Sequence, residues 1–161
     1  MRENGALLRV QDLSVRFGGR QVLRRAACEV NPGTITCLVG ESGCGKTTLL
    51  KSILGLVPFR EGRVTLFGQN PADLSERDFR VLRLRLGVLF QNGALLNSLN
   101  VFENVAMPLE HHTSLPAPVI AEMVRSRLAM LGVVHAAFQL PAELSGGMKK
   151  RVALARALML E

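Results

Sequence analysis

The amino-acid order predicts an α/β fold, a mixed sheet core followed by a helical part, on three observations. An apolar, β-rich run from Thr34 to Val39 leads straight into a glycine-studded loop. Leu49, Leu50, Ile53 and Leu54 then recur at helical spacing. That order reads as a buried parallel strand, a turn and a helix. The other strand-like runs lie before Gln91, and beyond it the apolar spacing is helical only. Residues 1–91 are therefore expected to form the α/β core, and residues 92–161 the helical part.

Taken in order, Leu8, Val10, Leu13, Val15 and Phe17 alternate loosely as a strand over residues 6–17, closed by the turn Gly18-Gly19. Val22 to Val30 reads as a second strand, ended by Asn31-Pro32-Gly33. After the loop and its helix, Gly62 to Gly68 reads as a strand. Asp73 to Arg85 reads as a helix with Ser75 and Asp78 as a capping pair. Leu86 to Phe90 is an apolar strand ending at Gln91. Asn104 to Leu109 is expected as a short helix stopped by Pro108. Ala117 to Leu131 is expected as a long one, with Ile120, Met123, Val124, Leu128 and Leu131 on one side and Gly132 as its stop. A last helix starts after Ser145.

The loop reads Gly40-Glu41-Ser42-Gly43-Cys44-Gly45-Lys46-Thr47-Thr48, which satisfies G-x-x-x-x-G-K-[ST]. At roughly 7% glycine usage, the four fixed positions arise by accident in fewer than about one in a hundred chains of this length. Glycines let the backbone curl with its N–H groups inward, forming a nest for phosphate oxygens. The following helix adds its positive end. Lys46 sets a point charge on the β- and γ-phosphates, and the Thr47 hydroxyl suits Mg²⁺. The cofactors this pattern calls for are ATP and Mg²⁺.

The chain has 161 residues, enough for one domain with a core, and 48% are hydrophobic. No apolar run reaches membrane-spanning length, and Met1 to Leu8 lacks the apolar stretch of a signal peptide, so a cytosolic setting is expected. Cys28, Cys37 and Cys44 are odd in number and lack metal spacing, so they read as reduced thiols. Cys44 is a small filler or, beside a helix N-terminus and a lysine, an activated thiol. The net charge is +7, but the basic residues are dispersed over Arg80, Arg83 and Arg85 and over Lys149, Lys150 and Arg151. They read as solvated helix faces or as neighbours of lipid headgroups. No aromatic ladder accompanies them, so no nucleic-acid partner is expected.

A second segment, Leu144-Ser145-Gly146-Gly147-Met148-Lys149-Lys150-Arg151, carries an N-cap serine and two glycines ahead of strong helix formers. Alone it reads as a capped helix or as a second anion-binding helix end. Together the two motifs resemble the nucleotide-binding domains of ABC transporters over essentially the whole chain. There a Leu-Ser-Gly-Gly signature faces the phosphate loop of a partner subunit, so that two ATP molecules are sandwiched between head-to-tail copies. The resemblance implies that Gly40, Glu41, Ser42, Gly43, Cys44, Gly45, Lys46, Thr47 and Thr48 hold the nucleotide. Ser145, Gly146, Gly147 and Met148 contact it from the second copy. Phe17 stacks on adenine, or is a strand core residue. Gln91 contacts Mg²⁺ with Thr47, and serves the attacking water beside Lys46 in catalysis, or is a surface amide.

Phe90 to Leu109, with methionine rather than glutamine at position 148, resembles the ATPase subunit of Mla-type (MCE-associated) phospholipid transporters. That resemblance implies a peripheral subunit on the cytoplasmic face of a bacterial inner membrane. Its implied partners are a second copy, an integral permease and, indirectly, an MCE-type lipid-binding subunit. The readings set against it are an amino-acid importer, a lipoprotein-release ATPase and a nucleotide-binding fragment without turnover. The family pattern also calls for an apolar strand ending in Asp, a catalytic Glu and a switch His after the signature helix, none of which occurs up to Glu161. The expectation is therefore a partial nucleotide-binding domain, marginally stable by itself, with one edge of Ile35 to Val39 unpaired and one face of the Leu49–Leu54 helix uncovered.

Overall fold

The computed structural model describes residues 5–91 and 93–160, so the readings at Met1 to Asn4, Asn92 and Glu161 lie outside the described residues. The described chain forms two compact units, which divide between Arg83 and Leu84 rather than between 91 and 92. The run from Leu84 to Gln91 thus belongs with the helices.

In the first unit, β1 (Leu8–Phe17) and β2 (Arg20–Val30) form an antiparallel hairpin through Gly18 and Gly19, at φ 51° and 84°. β3 (Glu61–Leu66) pairs with the other edge of β1, giving the order β2-β1-β3. The sequence shows why β1 is irregular. Leu8 and Val10 fall on one phase of a period of two, and Leu13, Val15 and Phe17 on the other. The register shifts between Val10 and Leu13, with Asp12 at φ 48°. This is a bulge, and it keeps Val10, Leu13 and Val15 all at 1% exposure or less. A Cβ at Gly62 would lie 2.5 Å from the Leu13 Cα, so β3 passes this bulge where only glycine fits.

α1 (Lys46–Ile53) buries Leu49, Ser52 and Ile53 and leaves Leu50 exposed. The helix expected over 73–85 is two shorter pieces. Asn70 caps a 3₁₀ turn at Pro71–Asp73, and Ser75 opens α2 (Glu76–Arg83). The Asp78 N–H donates to the Ser75 hydroxyl (3.1 Å), which donates to the Asp78 carboxylate (2.6 Å). Two caps five residues apart interrupt what a single period suggested.

Two expected strands are absent. Residues 34–39 and 86–90 make no sheet pairing among the described residues, and Ile35 and Val39 are 96% and 88% exposed. The three strands that do form are antiparallel: β1 and β2 are joined by the Gly18-Gly19 turn, and β3 returns to the free edge of β1 after a connection that includes α1. A parallel strand needs a neighbour reached by a crossover, and pairing rather than apolarity makes a strand.

The second unit packs α3 (Val101–His112), α4 (Ala117–Met130) and α5 (Gly146–Ala157) around Val101, Val105, Leu109, Val124, Leu128 and Val152, all at 2% exposure or less. α3 starts earlier and runs further than its sequence suggests. Asn100 and Glu103 form a reciprocal capping box, at 2.9 and 2.8 Å, and Pro108 lies inside the helix. An internal proline costs about 3 kcal/mol. Beyond the proline, burying Leu109 contributes about 1.5–3 kcal/mol, and the Thr113 N–H closes the last turn on the Leu109 carbonyl at 2.9 Å, so the helix continues through it. Gly132, at φ 67°, follows the α4 C-cap as expected.

Asn104 is fully buried, and its amide bonds the Leu96 N–H and the carbonyls of Leu96, Leu99 and Asn100 at 2.8–3.0 Å. It ties the loop before α3 to the helix. Asn104→Ala leaves these groups buried without a partner and is expected to lower stability by about 2–3 kcal/mol. The denaturant midpoint of the protein carrying this sequence measures it, and an unchanged midpoint would contradict the assignment.

Candidate functional site

The residues expected at a nucleotide site fall into two sets, one in each unit. In the first unit, Gly45 is the N-cap of α1 at φ 101°, and it offers no side chain to the helix. An ideal Cβ there would lie 2.7 Å from the Leu23 Cδ2 and 3.1 Å from the Val22 carbonyl. The loop is thus pressed against β2, and glycine is demanded both by conformation and by space. Gly43 also has a left-handed backbone, at φ 83°. α1 has no side-chain cap and no acidic residue in its first turn. Its leading N–H groups have no acceptor within the helix and carry the positive end of its dipole.

Lys46, the first residue of α1, curls back over its own loop. Its ammonium donates to the carbonyls of Gly40 (2.6 Å) and Glu41 (2.7 Å) and lies 3.6 Å from the Cys44 Sγ. That thiol packs on Gly40, where a Cβ would meet it at 2.8 Å. Glu41, Ser42 and Thr47 are exposed and Thr48 half-buried. The arrangement combines a cation, a helix N-terminus and a curled backbone, which together bind a multiply charged anion. Among the described residues, no group of three or more His, Cys, Asp or Glu is placed to hold a metal. The side-chain oxygen donors beside the Lys46 end of the loop are the hydroxyls of Ser42, Thr47 and Thr48. They suit Mg²⁺, which keeps its waters and takes phosphate oxygens instead of a protein cage.

Phe17 ends β1 at 49% exposure, so it is not a core residue. Val15, two residues earlier, pairs with Leu23, the residue against which Gly45 is pressed. The structure therefore brings the Phe17 end of the hairpin to the helix end of the loop.

In the second unit, Ser145 caps α5 by accepting the Met148 N–H at 3.2 Å. Gly146 and Gly147 differ from the glycines of the first loop. Neither has a positive φ, and a Cβ on either would meet nothing within 4 Å. Glycine in a first helical turn costs up to about 1 kcal/mol relative to alanine, and nothing in the chain's own packing requires it. The space above these residues is open to a group from outside. Met148 is half-buried against the helical core, so its side chain helps hold the helix end in place.

Gln91 is exposed, in a turn closed by the Gly93 N–H on the Phe90 carbonyl at 2.8 Å. No local motif in the sequence marks what fixes this turn. Arg156 of α5 donates to the carbonyls of Ala94 (2.9 Å) and Gly93 (2.8 Å), and burial draws its guanidinium pKa below the usual arginine value. A contact between residues 62 and 63 positions apart leaves no local pattern to read.

A family profile described as ABC transporter matches residues 23–161. The chain is 42% identical over 158 residues to the intermembrane phospholipid transport system ATP-binding protein MlaF of Haemophilus influenzae, covering 98% of this chain and 60% of that protein. With MlaF of Escherichia coli it shares 43% over 155 residues, covering 96% of this chain and 58% of that protein. The methionine import ATP-binding protein MetN of Campylobacter jejuni is 39% identical over 170 residues, covering 96% of this chain and 51% of that protein. Among solved structures, the dimeric post-hydrolysis state of the ATP-binding cassette MJ0796, bound to ADP and Pi, superposes with a TM-score of 0.84 at 27% identity. That match covers 94% of this chain and 69% of that one. The chain spans about 60% of the length of the MlaF proteins it matches.

The two kinds of glycine predict different outcomes. Gly45→Ala forces a Cβ into β2 at a left-handed φ, a strain of about 1–2 kcal/mol, and is expected to weaken binding of a fluorescent ATP analogue about tenfold. Gly146→Ala is expected to leave that titration unchanged in isolated subunits. Equal affinities for Gly45→Ala and the unsubstituted protein would show that the loop does not hold the nucleotide.

Proposed function

This chain belongs to the ABC transporter family, and on that footing we propose that it is the nucleotide-binding portion of an ATP-binding subunit that powers phospholipid transport. The observation that carries the ATP reading is the uncapped N-terminus of α1, with the Lys46 ammonium folded over it. The phospholipid reading rests on the likeness to MlaF over nearly the whole chain.

In this reading the amides of Ser42 to Thr48 and the Lys46 ammonium hold the β- and γ-phosphates. The ammonium leaves the Gly40 and Glu41 carbonyls to do so. Phe17 stacks on the base. Thr47 and Gln91 offer oxygen ligands to Mg²⁺, which supplies charge neutralisation on the phosphates when bound. Ser145, Gly146 and Gly147 receive the γ-phosphate of a nucleotide held by a second copy, which accounts for glycines that the chain's own packing does not need. Met148 braces that helix end from the core. ATP then favours the closed pair because it touches both copies only there. No helix of the described residues is long and apolar enough to cross a membrane. The subunit is proposed to sit on the cytoplasmic face of the inner membrane, docked on a permease that works with an MCE-type lipid-binding partner.

The test is Mg²⁺-dependent ATP hydrolysis by the subunit carrying this sequence, assembled with its permease in liposomes, with phospholipid and methionine movement followed in parallel. Hydrolysis that falls at least about a hundredfold in Lys46→Ala, together with ATP-driven phospholipid movement, is expected. Pairs carrying Lys46→Ala in one copy and Gly147→Val in the other should keep one working site. Hydrolysis untouched by Lys46→Ala would refute the ATP reading. Movement of methionine but not phospholipid would refute the choice of cargo.

A further inference from the structure

We propose that Arg156 is a positioning residue for Gln91: from α5 it holds the glutamine-bearing loop by two backbone carbonyls, so that the Gln91 amide and the Ser145–Gly147 helix end move as one body. The proposal rests on the ATPase reading above and adds to it a residue whose role none of the motifs assigns.

Both ends of the Gln91 segment are fastened to the same helix. At one end Gly87 passes so close to the Ala157 carbonyl that any Cβ would overlap it. At the other, a Cβ on Gly93 would lie 3.2 Å from the Ala153 Cβ and 3.4 Å from the Lys149 carbonyl. Lys149, Ala153 and Arg156 stand at i, i+4 and i+7, which is one face of the helix. The loop lies along that face, and Arg156 closes it with bonds of 2.8 and 2.9 Å.

The backbone at this point is held away from its ordinary conformations. Gly93 and Ala94 follow one another at φ 72° and 47°. Two left-handed residues in succession allow neighbouring carbonyls to be reached by one guanidinium. The left-handed region is strained for alanine and persists only where surrounding structure enforces it. The guanidinium is the enforcing group. Its planar fork gives each carbonyl its own N–H, whereas an ammonium is a single point donor on a flexible stem. Partial burial strengthens the bond to the Gly93 carbonyl. Gln91, between the two fastenings, is itself exposed and free to serve a ligand.

The test uses the assembled transporter with Arg156→Lys and Arg156→Ala. The expected result is a kcat for ATP lowered by about ten- to a hundredfold, with KM for ATP within about twofold of the unsubstituted enzyme. Lysine is not expected to rescue the loss. Amide exchange at residues 93–95 is expected to quicken while α3 and α4 keep their protection. Unchanged kcat in both variants would overturn the proposal. So would a joint loss of kcat, ATP binding and protection throughout the helical unit, which marks a merely structural residue. Should neither variant fold, exchange in the unsubstituted protein decides. Gly93 and the last turn of α5 opening together supports the coupling, and a Gly93 amide that exchanges freely beside a protected α5 refutes it. An unsubstituted transporter that does not hydrolyse ATP removes the ATPase reading, yet leaves the exchange comparison able to judge Arg156.

Discussion

Gly45 stands at the start of α1 where any Cβ would run into the Leu23 side chain and the Val22 carbonyl, at a backbone angle that side chains rarely adopt. Much of the first unit follows from that contact. It places the helix end beside the hairpin and leaves the helix without a capping side chain. It also brings Lys46 round to the carbonyls of Gly40 and Glu41. The sheet serves as the anvil for this contact. The bulge at Asp12 keeps Val15 inward after a change of phase, so that Leu23, its partner across the hairpin, lies where the loop bears down. A helix end is a weak anion site unless its N–H groups are held outward and uncapped. Here the fold does both before any ligand arrives.

The two glycine-bearing helix ends solve different problems. In the first loop the glycines are needed by the chain itself, because a Cβ would collide or the backbone angle would be strained. At Gly146 and Gly147 neither reason holds, and the glycines keep a surface clear for something that approaches from outside. Ser145 satisfies one N–H and Met148 anchors the turn to the core, so this second end is rigid as well as open. A rigid, open, positively polarised surface lowers the ordering cost of meeting a phosphate. The same helix fastens the Gln91 segment through Arg156, Ala153 and Ala157. The second unit thus gathers its candidate residues around one rod.

What was legible in the sequence was local. The Gly18-Gly19 turn, the Ser75 and Ser145 caps, the Gly132 stop and the helix that starts at Lys46 each depend on residues within a few positions of one another, and each is present in the structure. Residues 34–39 and 86–90 look like strands in the sequence, but their apolar character says nothing of whether a neighbour pairs with them. Pro108 looks like a stop because its local penalty is plain in the sequence, whereas the burial of Leu109 just beyond it depends on the fold. The capping box at Asn100 and Glu103 is local and legible in the sequence, whereas the role of Arg156 is not. An arginine within an Ala-rich helix looks like a solvated residue, and only the fold brings it to Gly93 and Ala94.

The central claim is that phosphate, held by amides and one ammonium, carries nucleotide binding. A calorimetric series with ATP, ADP, AMP, adenosine and inorganic tripolyphosphate, run with Mg²⁺ on the subunit carrying this sequence, tests it most directly. Affinity is predicted to climb with the number of phosphates, with tripolyphosphate displacing ATP and adenosine failing to do so. Adenosine binding as tightly as ATP, with no response to tripolyphosphate, would contradict the account.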